Sequence, residues 1–158
     1  MGSFRALEAR PGPGIGEPFR MVVEEGKILE FARAVRADLP EHRGPNAIAP
    51  ATFLAACAHW MSEENSGWKG QRRDFRRVLH GEQEFVLPSG PPRAGTELVG
   101  QQRIERIYHK RGKRGGMMKF TDVVTEFSDG DGHLVATMRS TSIETETDVD
   151  LSDSEGGT

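Results

Sequence analysis

The sequence predicts an α+β fold, one curved antiparallel sheet wrapped around a long central helix. Two observations lead there. The segment from Ala51 to Glu64 carries Thr52, Phe53, Leu54, Ala55, Ala56, Cys57, Ala58, Trp60 and Met61, so it is apolar on most sides, as a buried helix is. From Val78 to Thr145 the chain reads as long strand candidates separated by Pro, Gly and Asp turn signals.

Taken in order, residues 1–18 contain Pro11, Pro13, Pro18 and several glycines and read as an arm, ordered only where it packs on something. Phe19 to Val23 is a short strand. Glu24 and Glu25 suit a helix N-terminus, and the helix should run from about Lys27 to Arg36, with Ile28, Phe31, Ala32 and Val35 in one apolar stripe. Ala37 to Pro50 is a loop punctuated by Pro40, Gly44 and Pro45. The buried helix follows, and then a polar, basic loop from Ser66 to Arg77. Strands are expected at Val78–Leu87, Thr96–His109, Met117–Ser128 and His133–Thr145, with Asp129-Gly130-Asp131-Gly132 as a hairpin signal. Met118, Phe120 and Val124 share one face of the third of these strands. The sheet's other face is therefore expected to be partly apolar, as pairing with another subunit would require. Residues 19–146 form a single domain in this reading. Residues 147–158, acidic and rich in Gly and Ser, form a flexible tail.

The composition narrows the function classes. A 158-residue chain with 35% hydrophobic and 28% charged residues is one soluble globular domain with room for a core. No apolar run reaches the roughly 18 residues of a membrane span, and the first residues lack a signal peptide's apolar region. The single cysteine, Cys57, excludes an intrachain disulfide and a cysteine-rich metal site, which points to a reducing, cytoplasmic setting. Six of the 24 acids lie from Glu144 onward, where there is no Lys or Arg, so the preceding body with all 21 basic residues carries +3. That is too small a charge to argue for nucleic acid, and it suits an anionic ligand no better than it suits none.

The segment Phe31 to His42, FARAVRADLPEH, carries the most chemistry. Adding water to an enoyl thioester needs a base and an acid acting together, and a carboxylate five residues before a histidine is one way to supply them. Pro40 and His42 are present, but the carboxylate position holds Ala37. Followed by AIAPATF (Ala47–Phe53), this segment resembles the active-site loop and central-helix start of the MaoC-like hotdog dehydratases, most closely their FAS1-like N-terminal dehydratase subgroup. LHGEQEFVLPSGPPRAGTEL (Leu79–Leu98) and KRGKRGGMMKFTDVVTEFSDGDGHLVATMRSTSIET (Lys110–Thr145) resemble later strands of the same subgroup. The resemblance covers about residues 19 to 145.

It implies a hotdog fold and a reaction on 3-hydroxyacyl or enoyl thioesters of coenzyme A or acyl carrier protein, with no metal and no redox cofactor. Of the family's catalytic pair only His42 survives, and Asp38 stands one residue from the vacant position. The family's thioester oxygen is held by backbone amides at the start of the central helix, which puts Pro50, Ala51, Thr52 and Phe53 against the substrate. The subgroup includes non-catalytic partners of catalytic MaoC-type subunits in fatty-acid and steroid metabolism. The leading expectation is therefore a non-catalytic subunit of a heteromeric (R)-specific enoyl-thioester hydratase, a lyase whose catalytic Asp and His lie on a MaoC-like partner in a heterodimer or heterotetramer. Two alternatives stay open: an active hydratase using His42 with Asp38, or a thioester-binding assembly module without hydratase activity.

Other residues carry a plain reading beside a sharper one. His42 is either a remnant of the base or a loop histidine bonding backbone. Cys57 is a small core residue. Trp60 reads as core, and Trp68 is either a lid over an acyl chain or an interface contact. His80 and His109 read as surface or interface residues. Arg111, Lys113 and Arg114, in the most basic stretch, are either contacts to the phosphates of coenzyme A or a solvated hairpin end.

Overall fold

The computed structural model describes residues 7–11, 14–37, 39–112 and 116–146. Its frame is a six-stranded, wholly antiparallel sheet. The strands are β1 (Leu7–Pro11), β2 (Phe19–Val22), β3 (Val78–Val86), β4 (Glu97–Arg111), β5 (Met117–Ser128) and β6 (Leu134–Thr145). The order is β1-β4-β5-β6-β3, and β2 also pairs with β4. The long β4 thus serves both N-terminal strands: Arg106 to His109 face β1, and Glu97 to Gly100 face β2. β3 forms the opposite edge.

Part of the N-terminal arm is therefore sheet. Ile15 bridges Arg103, and the Gly16 amide donates to the Gln102 carbonyl at 2.8 Å. Close approach explains the glycine: a Cβ at Gly16 would lie 1.9 Å from the Asn65 carbonyl oxygen.

The α-helix α1 (Glu25–Ala34) follows β2, with Glu25 in its first turn and Arg33 in its last as the helix dipole favours. Its inward stripe is Ile28 and Ala32, both fully buried. Val35, expected on that stripe, is 48% exposed. The helix has ended by then, because Arg36 adopts φ of 56° and the Ala37 amide turns back to the Ala32 carbonyl.

The central helix differs from expectation. It is a 3-10 helix of eight residues, Phe53–Trp60, and not a longer α-helix over 51–64. Its end is set by the next turn. Met61 is extended, and the Ser62 amide and hydroxyl both donate to Asn65 Oδ1 at 2.8 and 2.9 Å, drawing the chain into a new turn. The Asn65 side-chain amide in turn donates to the Glu17 and Pro18 carbonyls.

The short helix covers only half of the sheet's inner face. Phe53, Leu54 and Cys57 pack there with Phe19, Met21, Leu98, Phe127, Ala136 and Met138. Phe19 stands edge-on to Phe127 with ring centres 6.3 Å apart, and its ring occupies the space a Cβ at Gly100 would need. The other half, Ile104, Thr121 and Val123, is buried beneath the 66–77 loop. Gly67 lies against the backbone of Arg103 and Ile104 and donates to Gln102 Oε1 at 3.1 Å. Arg73 donates to Ser142 Oγ at 2.5 Å.

The outer face is roofed from within the chain. Val124, in register between Arg103 and Arg139, is 1% exposed. Arg103 pairs with Glu105 and Glu126, and Arg139 with Glu84 and Glu105, so long side chains lay their stems over the apolar positions. Tyr108 and Phe120 stack at 5.0 Å under Lys110.

Candidate active site and its relatives

The loop between α1 and the central helix builds the site. Pro40–His42 form one 3-10 turn, which Pro40 starts at its first position. His42 points inward and is 7% exposed. Its Nδ1 lies 2.6 Å from the Ile48 carbonyl oxygen. A carbonyl only accepts, so Nδ1 carries the proton, and in the neutral ring the lone pair sits on Nε2. The Ile48 amide donates to the Glu41 carbonyl at 2.8 Å, so Ile48 is held by its amide and its carbonyl alike.

Residues 47–50 are clamped to the segment before β4: Ala49 donates to Pro92, Ala94 donates to Ala47, and Ile48 bridges Arg93. That clamp delivers Pro50, buried, to the start of the central helix, where the Phe53 amide donates to the Pro50 carbonyl at 2.9 Å. Ala51 and Thr52 are exposed at this corner, and Phe53 is wholly buried. The predicted residues His42, Pro50, Ala51, Thr52 and Phe53 therefore belong to one continuous loop-and-helix start.

Ala37 is half-buried and offers no acid. Asp38 lies outside the described residues, as do Lys113 and Arg114. Among the described residues no hydrogen bond joins His42 to a carboxylate. Trp68 belongs to the 66–77 loop on the far half of the sheet. The Arg73 guanidinium covers its ring at 3.8 Å, and Phe75 flanks the same guanidinium at 5.5 Å. Arg111 is exposed at the end of β4, opposite Met117.

Three cavities lie around these elements. One, about 400 Å³, is lined by Arg72, Arg77, His109 and Lys119 together with Asp74, Glu144 and Glu146. Two ion pairs lie in its wall, Arg77 with Asp74 and Lys119 with Glu144. Another, about 310 Å³, is lined by Trp68, Arg73 and Phe75 of the 66–77 loop. A third, about 210 Å³, lies between α1 and the central helix and is mainly aromatic and alanine-walled.

Three features escaped the sequence reading. Ile48 as the partner of His42 carries no signal in the local string. Arg73 was one cation among several in a basic loop. Asp122, 2% exposed, accepts from Arg106 Nε at 2.7 Å, from Arg106 Nη2 and from Thr141 Oγ1 at 2.8 Å. An acid between Thr121 and Val123 in a strand was the available hint.

The chain matches the family described as "FAS1-like, dehydratase domain region" over residues 9–138. It belongs to the FAS1-like dehydratase family. It is similar to the UPF0336 protein of Clavibacter michiganensis subsp. michiganensis, 31% identical over 134 residues that cover 76% of this chain and 83% of that one. Among solved structures it resembles the C-terminally truncated HadBC (3R-hydroxyacyl-ACP dehydratase) complex of Mycobacterium tuberculosis, with TM-score 0.59, 20% identity, and 78% of this chain and 89% of that chain covered. It also resembles the ChsH1-ChsH2 complex of Mycobacterium tuberculosis, with TM-score 0.62, 14% identity, and coverage of 87% and 88%. These structural likenesses establish the hotdog fold of this member of the FAS1-like dehydratase family. The eight-residue helix Phe53–Trp60 is thus the hotdog's central helix, and the sheet wraps it.

Proposed function

We propose that this chain is the non-catalytic subunit of a heteromeric (R)-specific enoyl-thioester hydratase or 3-hydroxyacyl-thioester dehydratase. One observation carries the reading. In a dehydratase family member, the position five residues before His42 holds Ala37, and the His42 Nδ1–H is spent on the Ile48 carbonyl. Hydration needs a group that takes a proton from water and a group that delivers one to carbon, acting as a unit. Half of that unit is missing here, and loss of one member of such a unit costs orders of magnitude in rate.

A partner with an intact Asp and His supplies the chemistry in this reading, and no metal or cofactor enters it. This chain then supplies the second half of a double hotdog and part of the acyl-binding surface. We assign that partner to the edge of β3, since one side of β3 pairs with β6 and, among the described residues, no strand pairs with the other. The two-chain character of the HadBC and ChsH1-ChsH2 neighbours supports the same arrangement. A reducing, cytoplasmic setting belongs to this reading too. No described helix is long and apolar enough to cross a membrane.

The test is hydration of crotonyl-CoA and of a longer enoyl-CoA by the purified chain, alone and co-expressed with a MaoC-like chain that retains Asp and His. Activity only in the co-purified complex is the expected result. Activity of the chain alone overturns the proposal, and its loss on Asp38→Ala would then assign the acid to Asp38. A chain that binds thioesters yet activates no partner would make it an assembly module instead.

A further inference from the structure

Three backbones meet at the base of the 66–77 loop. Residues 14–18 of the N-terminal arm run between β4 and the turn that carries Glu64 and Asn65. On one side the arm is tied to β4. The Ile104 amide donates to the Gly14 carbonyl at 3.0 Å, the Gly16 amide to the Gln102 carbonyl at 2.8 Å, and Gln101 Nε2 to the Gly16 carbonyl at 3.3 Å. On the other side it is tied to the turn. The Glu17 amide donates to the Glu64 carbonyl at 2.8 Å, and Asn65 Nδ2 to the Glu17 and Pro18 carbonyls at 3.1 and 3.2 Å. Glu64 in turn pairs with Lys69 of the loop. The approach is close enough to require glycine in both segments. A Cβ at Gly14 would lie 2.4 Å from the Gly67 carbonyl oxygen, and one at Gly67 would lie 3.2 Å from the Ile104 nitrogen.

Beyond this clamp the loop holds the sheet by side chains. Its Lys69 and Gln71 amides bond back to Ser66 and Trp68, and among the described residues no backbone-to-backbone hydrogen bond joins residues 67–74 to a strand. Gln102 Oε1 accepts from the Gly67 amide at 3.1 Å and the Ser66 hydroxyl at 3.4 Å. Arg73 donates to Ser142 Oγ, but its buried Nε has no hydrogen-bond partner. Segments held in this way open before the sheet does. Under the loop lie Ile104, Thr121 and Val123, all at most 5% exposed.

We propose that residues 14–18 are a strap that keeps the 66–77 loop closed over its half of the sheet. Releasing the strap opens the loop and uncovers the face of Ile104, Thr121 and Val123, so the N-terminal arm governs access to that face. This inference is independent of the function proposed above.

The experiment is native-state hydrogen exchange of the full chain, read by mass spectrometry, with binding of anilinonaphthalene sulfonate as the probe of uncovered apolar surface. Gly16→Ala places a Cβ 1.9 Å from the Asn65 carbonyl oxygen, so the strap and the turn must part. Each hydrogen bond lost raises an opening equilibrium about fivefold. With three such bonds between the strap and the turn, exchange at the Gly67, Trp68, Lys69 and Gln71 amides should quicken at least tenfold. Amides of β5 and β6 should change less than twofold, and dye binding should rise. Gly130→Ala, whose Cβ meets nothing within 4 Å, is the control and should leave all three unchanged. If Gly16→Ala does not fold, Gly14→Ala, which strikes the Gly67 carbonyl, decides by the same measurements. Loop exchange at the wild-type rate in a folded variant overturns the strap. Equal quickening in the loop and in β5 and β6 overturns it too, because the glycines then support only global stability. Faster loop exchange with no rise in dye binding overturns the control of access.

Discussion

Replacing His42 separates a structural histidine from a catalytic one. The ring is 7% exposed and its Nδ1–H donates to the Ile48 carbonyl at 2.6 Å. His42→Ala removes that bond and leaves a half-buried carbonyl unsatisfied, which together with the space vacated costs about 2–4 kcal/mol. For a domain of this size that is a fall in Tm of about 4–16 °C. His42→Asn places an amide N–H near the position of Nδ1, so it should recover about half of the loss. If catalysis lies on the partner, hydration by the assembled complex should change less than about threefold per folded complex with either variant. A general base lost from the reaction would instead cost about 10²–10⁴. The measurements are thermal melts of the two variants and initial hydration rates of crotonyl-CoA with the reconstituted complex. An Asn variant that restores Tm while the rate stays down a hundredfold would refute the structural assignment and make His42 catalytic.

Burial pushes the Cys57 thiol up to about 12, so the native protein should not react with a thiol reagent at pH 8, and one equivalent should react in denaturant. Arg106→Met strips two hydrogen bonds from the buried Asp122 carboxylate, and because Arg106 itself is half-exposed the cost should be about 2–3 kcal/mol in urea unfolding, below the full value for a buried pair. Adding Asp122→Val should recover most of it; strictly additive losses would show that the pair is not coupled. The Arg76 side chain, followed by its amide and the charges of Arg76 and Arg77, holds the Asp74 carboxyl down to about 2. Since the folded value lies below the unfolded value of about 3.9, Asp74 stabilises fully above about pH 4, and that contribution fades as pH falls through about 2. NMR titration of the Asp74 carboxyl checks the value, and Asp74→Asn should flatten acid unfolding in that window.

The strand pattern was legible because alternation and turn residues are local. Phe19–Val22, Val78–Val86, Met117–Ser128 and Leu134–Thr145 fall within a residue or so of the expected limits, and β4 runs two residues further, to Arg111. The end of α1 was misplaced because a non-glycine residue, Arg36, takes a left-handed turn, which no residue type there announces. The central helix was read as buried on most sides, whereas only Phe53, Leu54 and Cys57 are buried and Ala55, Ala58 and His59 are exposed, and its length was not readable either. Apolar content says that a segment has a buried face; it does not say that Ser62 and Asn65 close a cap and stop the helix at Trp60.

The amino-acid sequence by itself determined the family, the fold class and the missing carboxylate at Ala37, since each depends on which residues occur and in what order. Only the tertiary structure decided what His42 is bonded to, which half of the sheet the 66–77 loop covers, and that two alanine-bearing stripes face each other across open space. Those facts arise where segments far apart in the chain meet. Their partners are chosen by packing and by hydrogen-bond satisfaction, and a reading of neighbours along the chain carries no information about either.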